Sequence, residues 1–500
     1  MDQKLDSLKT KLKEVKNLYD AAAVLGWDQQ VYMPPGGAIA RAEQLATLSK
    51  IAHERFTTDE IGQLLSDLAQ AGFDYDSDEA ALIRVVRRDY DKARKLPPKL
   101  VEDMSRTFSL GQQVWTRARA DKDFAQFQDI LTRIVDLNIQ KAEAYGYDEC
   151  IYDALLDEYE PGMKTAEVQR VFDELKAGLV PLVQAIAERA EAVDASFLKQ
   201  DFDELAQWEM GMIPLKAIGF DLERGRQDKS VHPFTTNFSI NDVRITTRVF
   251  KDQFPSALFS TLHEGGHALY EQNSAPELEG TFLAGGASLG VHESQSRMWE
   301  NVLGRSREFW QFYYPKLQEF FPAQLAGVSR DDFYRAINKV TPSFIRVEAD
   351  EVTYNLHIFL RFELEQELVE RRLKVTDLPE AWNVKMQAYL GLTPPHDALG
   401  VLQDIHWSGG SIGYFPTYTL GNVLSLQFFQ QTLGDLPDLR EQFARGEFGG
   451  LLAWFKEKIH RHGRKYTATE LVQRVTGATG IEAGPYLAYI EQKFTDIYGL

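Results

Sequence analysis

Phe254-Pro255-Ser256-Ala257-Leu258-Phe259-Ser260-Thr261-Leu262-His263-Glu264-Gly265-Gly266-His267 is the stretch on which the reading of this chain turns. Its first nine residues read as a helix start running into apolar sequence. On a helix, positions four apart share a face, so His263 and His267 can grip one metal ion. Glu264 follows the first imidazole directly and can polarise a metal-bound water. With 10 His in 500 residues, on the order of 0.02 His-Glu-x-x-His strings are expected by accident. The two adjacent glycines each cost a helix about 1 kcal/mol against Ala. A place where another backbone must come close justifies them; an ordinary core helix does not.

A catalytic zinc takes three protein ligands and leaves a fourth position for water. No histidine or glycine lies between Ala268 and Ser274, so the pattern that continues as His-x-x-Gly-x-x-His is excluded. The third ligand is then a carboxylate from a later helix. Glu293 lies 26 residues past His267, in Gly290-Val291-His292-Glu293-Ser294-Gln295-Ser296-Arg297, before the amphipathic run Met298-Trp299-Glu300-Asn301-Val302-Leu303. A glycine-containing loop, 280–290, joins the two helices, which predicts a second helix antiparallel to the first. His292 points about 100° away from Glu293 and is not expected to share the metal.

The remaining sequence predicts a mainly α protein. Leu5, Leu8, Leu12, Val15, Leu18 and Tyr19 make one apolar stripe, and residues 80–120, 124–145, 165–195, 330–372 and 437–460 read the same way. Between Phe234 and Phe250 the period changes to alternation, with Ile240, Val243, Ile245, Thr246, Thr247 and Val249 and a turn at Asn241-Asp242. That predicts a small sheet beside the metal helix, whose edge can hydrogen-bond a peptide backbone. The net charge of −19 disfavours nucleic acid as a partner. The single cysteine, Cys150, forbids an intrachain disulfide and fits a reducing compartment. The N-terminal residues do not read as a secretory signal, and no apolar run is long enough to span a membrane. A cytoplasmic location is the expectation.

Six strings resemble the motifs of the carboxypeptidase Taq family of thermostable metallocarboxypeptidases and stand in that family's order. Besides the two metal strings they are His232-Pro233-Phe234, Asp242-Val243-Arg244-Ile245-Thr246, Ile345-Arg346-Val347-Glu348-Ala349-Asp350 and Gly400-Val401-Leu402-Gln403-Asp404-Ile405-His406-Trp407. The resemblance spans the whole chain. It implies a helical, groove-containing zinc-peptidase fold in one domain over 1–500, with 1–200 as scaffold and groove wall and 201–500 as the metal-containing part. It also implies one divalent metal per chain, a homodimer, and removal of single residues from peptide C-termini.

Roles follow from the chemistry that peptide hydrolysis needs. Glu264 is the expected general base and later proton donor. For the oxyanion, His406 and Tyr414 are chosen by analogy with related helical zinc peptidases, with Tyr418 as substitute; the glycines of 409–413 suggest a loop that reshapes around substrate. A free C-terminal carboxylate calls for an arginine fork. Arg346 ranks first and Arg244 second, with an ion pair from Arg346 to Asp350 one helical turn on as the plainer use of Arg346. His232 is a site-lining candidate. Asp242, Asp350 and Asp404 are each candidates for fixing a ligand imidazole. Zinc is the expected ion, with cobalt or manganese also suited to two imidazoles and a carboxylate. Two other readings stay open: an oligopeptidase cutting short peptides internally, and a non-catalytic metal-binding scaffold, which would not need Glu264.

Overall fold

Helix follows helix through most of the chain, and the computed structural model describes residues 2–500. Most of the apolar stripe near the N-terminus is buried: Leu5, Leu8, Leu12 and Val15 pack with Ile61, Leu65, Val86, Leu278 and Leu283 in one core cluster, while Tyr19 at its end is exposed. The broad helical stretches break where local chemistry demands it. The 80–120 stretch is two helices, Asp78–Lys95 and Pro98–Asp121, separated at Pro97-Pro98, because a residue before proline is driven from helical geometry. The 330–372 stretch holds two helices, Arg330–Ile337 and Tyr354–Val369, with irregular chain and one short turn at Arg346–Glu348 between them.

The packing divides the chain into two compact units, each assembled from three separate segments. The first contains residues 1–94, 195–337 and 428–479; the second contains 95–194, 338–427 and 480–500. Both units therefore draw on sequence from either side of residue 200. The metal-motif residues belong to the first unit, and Arg346, His406, Tyr414 and Tyr418 to the second.

Among the described residues the strands form one small sheet, as expected. It has three strands, β1 (Gly225–Lys229), β2 (Thr235–Ser239) and β3 (Asp242–Thr247), in the order β1-β3-β2. β2 and β3 form the antiparallel hairpin that the alternating pattern predicts, turning at Ile240-Asn241. β1 adds in parallel on the far side of β3. Its sequence, Gly-Arg-Gln-Asp-Lys, carries no strand signature and was not foreseen. Tertiary pairing overrides propensity there. The sheet packs on the Phe254–Gln272 helix. Among the described residues no helix is long and apolar enough to cross a membrane.

Candidate metal centre

The Phe254–Gln272 helix starts with Pro255 at its first turn and buries most of its length. The second helix, Leu289–Arg297, is capped by Ser288, whose hydroxyl accepts from Val291 N–H. The two run antiparallel: His263 meets Glu300, Gly266 meets Gln295-Ser296, and Glu271 meets His292. Gly266 shows why the motif needs a glycine. A Cβ there would stand 2.6 Å from both the Gln295 carbonyl oxygen and Ser296 Cα, so only a bare backbone permits this approach.

That closeness brings three donors together. His263, His267 and Glu293 each offer an atom, all within 4.8 Å of one another. Glu293 Oε2 is 3.4 Å from His267 Nε2 and 3.7 Å from His263 Nε2. Bonds of about 2.0–2.2 Å to a tetrahedral zinc place neighbouring ligand atoms roughly 3.3–3.5 Å apart. The donor set and its spacing therefore fit a divalent ion.

Outer hydrogen bonds orient each donor. His263 Nδ1 lies 2.8 Å from Glu300 Oε2, which leaves Nε2 for an ion. Arg297 links the carboxylates, donating from Nε to Glu293 Oε1 at 2.7 Å and from Nη1 to Glu300 Oε2 at 3.2 Å. On the other side, His267 Nδ1 is 2.7 Å from His292 Nδ1, and His292 Nε2 is 2.6 Å from Glu271 Oε1. Asn237 of β2 then donates to Glu271 Oε2 at 2.5 Å.

Of these partners, Glu300, Glu271 and Arg297 were not foreseen, and His292 contacts the His267 ring rather than joining the three-residue cluster. None of Asp242, Asp350 and Asp404 does this work. Asp242 takes a two-point bond from Arg244, Asp350 caps the turn at Val352-Thr353, and Asp404 pairs with two arginines. A readable signal for Glu300 existed: it stands seven residues past Glu293, two turns along the same face. A π-helical turn over Met298–Leu303 adjusts that register, a feature common at functional sites.

The electrostatics favour a cation between the donors. Burial works against charge on Glu293, yet Arg297 and the two imidazoles hold it well below the usual carboxylate range. Burial holds His267 down to about 3, so it is neutral, as a ligand must be. His263 is shifted upward: burial opposes this, but Glu293 and Glu300 outweigh it. Glu264 is buried, and burial pushes its carboxyl up. Thr235 of β2 donates its hydroxyl to Glu264 Oε2 at 2.7 Å. The edge strand thus holds the carboxylate beside the ligands.

The second unit holds His406, Tyr414, Tyr418 and Arg346. His406 begins a short turn, His406–Gly409, and its ring packs against Tyr414, Phe415 and Tyr418. Its Nε2 is 3.2 Å from the Tyr418 hydroxyl, and burial lowers it to about 4. Arg346 is buried and not on an α-helix, so the Asp350 pairing fails. Its Nε and Nη2 both donate to Asp404 Oδ1, at 3.1 and 2.9 Å, and Nη1 donates to Tyr354 at 2.8 Å. Arg361 shares the same carboxylate through Oδ2 at 2.7 Å. In the first unit, Arg244 lies over Trp27, 4.2 Å from the ring centroid, and His232 is exposed.

The sequence matches the carboxypeptidase Taq (M32) metallopeptidase family over residues 7–494. The chain belongs to that family. It is 44% identical over 499 residues to thermostable carboxypeptidase 1 of Thermus thermophilus, with 97% of each chain covered. Among solved structures it is similar to the M32 carboxypeptidase from Deinococcus radiodurans R1, at 41% identity and a TM-score of 0.97 with 100% of each chain covered. It is also similar to metallocarboxypeptidase 1 of Trypanosoma cruzi, at 32% identity and a TM-score of 0.94, covering 99% of this chain and 100% of that one. As a member of the carboxypeptidase Taq family, the protein is a metal-dependent carboxypeptidase with a mainly helical fold, as its motifs foretold.

Proposed function

We propose that the enzyme removes single residues from peptide C-termini, with its metal ion held by His263 Nε2, His267 Nε2 and the Glu293 carboxylate. The convergence of these three donors next to Glu264 carries the reading. Zinc is the ion assigned, with cobalt or manganese as the alternatives this donor set accepts. When bound, the ion supplies Lewis acidity toward water and the scissile carbonyl. Glu264 takes the proton of the attacking water and returns it to the leaving amine. Thr235 aims the carboxylate, and the upward shift from burial brings it closer to the working pH of such a base. His406 and Tyr414 are assigned to the oxyanion, with Tyr418 as substitute for Tyr414; a neutral imidazole still donates through one ring N–H.

Arg346 is assigned to the substrate carboxylate. Two guanidinium groups, Arg346 and Arg361, share one carboxylate, Asp404. One positive charge stays uncompensated within that trio, in a buried setting where it attracts an anion strongly. Arg244 is matched by its own carboxylate, Asp242, and ranks second. His232 is assigned to the lining of the approach, and a cytoplasmic homodimer is the working form.

One incubation tests the reading. A peptide, its C-terminally amidated form and its N-acetylated form are offered to the purified enzyme. Release of single residues from the free and acetylated peptides, with the amidated one spared, is the expected result. Equal cleavage of free and amidated peptides would replace it with an internal oligopeptidase.

A further inference from the structure

The Tyr354–Val369 helix carries two charges one turn apart, Arg361 and Glu365, both fully excluded from solvent at 0% exposure. Arg361 Nε donates to Asp404 Oδ2 at 2.7 Å. Glu365 Oε1 accepts from Trp407 Nε1 at 2.8 Å. Its Oε2 accepts from Gly413 N–H at 3.0 Å and from the Tyr152 hydroxyl at 2.6 Å. Residues 404 and 413 are thus both tied to one face of one helix, and His406 lies between the ties.

Peptide hydrolysis as described above has no step for the Glu365 carboxyl. A buried carboxyl is costly to keep, and burial raises this one to about 7 against the pull of its three donors. An apolar side chain would fill the same space without that cost, but it would orphan the indole N–H, the Gly413 N–H and the tyrosine hydroxyl.

We propose that Glu365 is a positioning residue: by holding Trp407 and Gly413 it fixes the segment that carries His406 and Tyr414. The inference rests on the reading of those two as oxyanion donors. Gly413 is itself held in a left-handed conformation (φ 98°), where a Cβ would meet the Leu155 backbone at 2.8 Å, so the segment has no slack on that side.

The donor geometry makes the side chain specific. An ionised carboxylate accepts all three bonds. A protonated one also satisfies them, donating from Oε2 to the Tyr152 oxygen while still accepting from Gly413 and Trp407. Glutamine cannot. Its amide nitrogen must face either the Trp407 N–H or the Gly413 N–H, donor against donor.

The test compares kcat and KM for Glu365→Gln, Trp407→Phe, His406→Ala and their combinations, with metal content measured throughout. Glu365→Gln should lower kcat by about 10²-fold, the cost of an approximately 1 Å misplacement, with KM and metal content close to the unaltered enzyme. Trp407→Phe/Glu365→Gln removes the clashing indole N–H, and its kcat should return to that of Trp407→Phe alone. This comparison holds even if Glu365→Gln by itself does not fold. A double variant as slow or as unfolded as Glu365→Gln overturns the inference. In a His406→Ala background, Glu365→Gln should cost little more; a full 10²-fold further loss there overturns it too. A slow His406→Ala with Glu365→Gln at the unaltered rate overturns this inference alone. An unaltered His406→Ala overturns the oxyanion reading and this one with it.

Discussion

His267 and His292 meet nitrogen to nitrogen, Nδ1 to Nδ1 at 2.7 Å. One hydrogen must lie between them, and the Glu271 carboxylate 2.6 Å from His292 Nε2 decides whose it is. His292 donates to Glu271 from Nε2, so its Nδ1 is the acceptor. His267 then donates from Nδ1 and keeps a lone pair on Nε2, on the side where Glu293 lies. The tautomer follows from the network.

His292→Ala should therefore weaken metal binding without removing it. Loss of such an outer partner typically costs about 10- to 100-fold in affinity. Competition with a coloured chelator measures it directly. His263→Ala and Glu293→Ala remove ligands outright and should leave too little bound metal to survive the same chelator. Equal retention in all three variants would remove the ion from this site.

Glu264→Gln should keep its metal and lose several orders of magnitude in kcat, because water activation and proton return fail together. Thr235→Val removes only the hydroxyl that aims the carboxylate and should cost about tenfold, through kcat. A Glu264→Gln variant retaining more than about a tenth of its rate would mean that another group is the base.

Amidating the substrate C-terminus removes the anion proposed to offset the excess positive charge of Arg346 and Arg361 around Asp404. The loss is worth roughly 2–5 kcal/mol, or about 30- to 4000-fold in kcat/KM. Arg346→Ala should lose most of the preference for free over amidated peptide, while Arg244→Ala keeps it. The opposite pattern would move the clamp to β3 and leave the activity unchanged.

Stability should fall with acid over a defined window. Burial holds His406 down to about 4 and His460 to about 3. As pH drops through about 6.5, the unfolded chain takes up protons that the folded one refuses, so folding loses free energy until pH nears the folded values. Each such histidine contributes a slope of about 1.4 kcal/mol per pH unit between pH 6 and 4. Denaturant titration of His460→Gln, which preserves a donor toward Gln295, should show a slope shallower by about that amount.

The fold class and the shared helix face of His263 and His267 were legible because each rests on short-range pattern. Helical period, alternation at 234–250 and the four-residue histidine spacing all act within one or two turns of chain. What escaped depends on contacts far apart in sequence. β1 owes its strand to pairing with β3, and the supports of the histidines come from Glu271 and Glu300. Arg346 finds its counter-charge 58 residues away in Asp404, not in Asp350. The glycines near residue 410 suggested a yielding loop; Gly413 instead permits close packing and a bond to Glu365.

The discontinuous make-up of the first unit bears on how the enzyme is born. His460, from the last of its three segments, donates to Gln295 on the second metal helix at 2.9 Å, and Arg464 N–H bonds to Leu283 in the loop joining the two helices. A ribosome delivers both long after His263, His267 and Glu293 have emerged. A nascent chain stopped at residue 427 would carry all three proposed ligands but lack these two contacts. On the proposed ligand set, ion capture is expected to follow synthesis of the 428–479 segment.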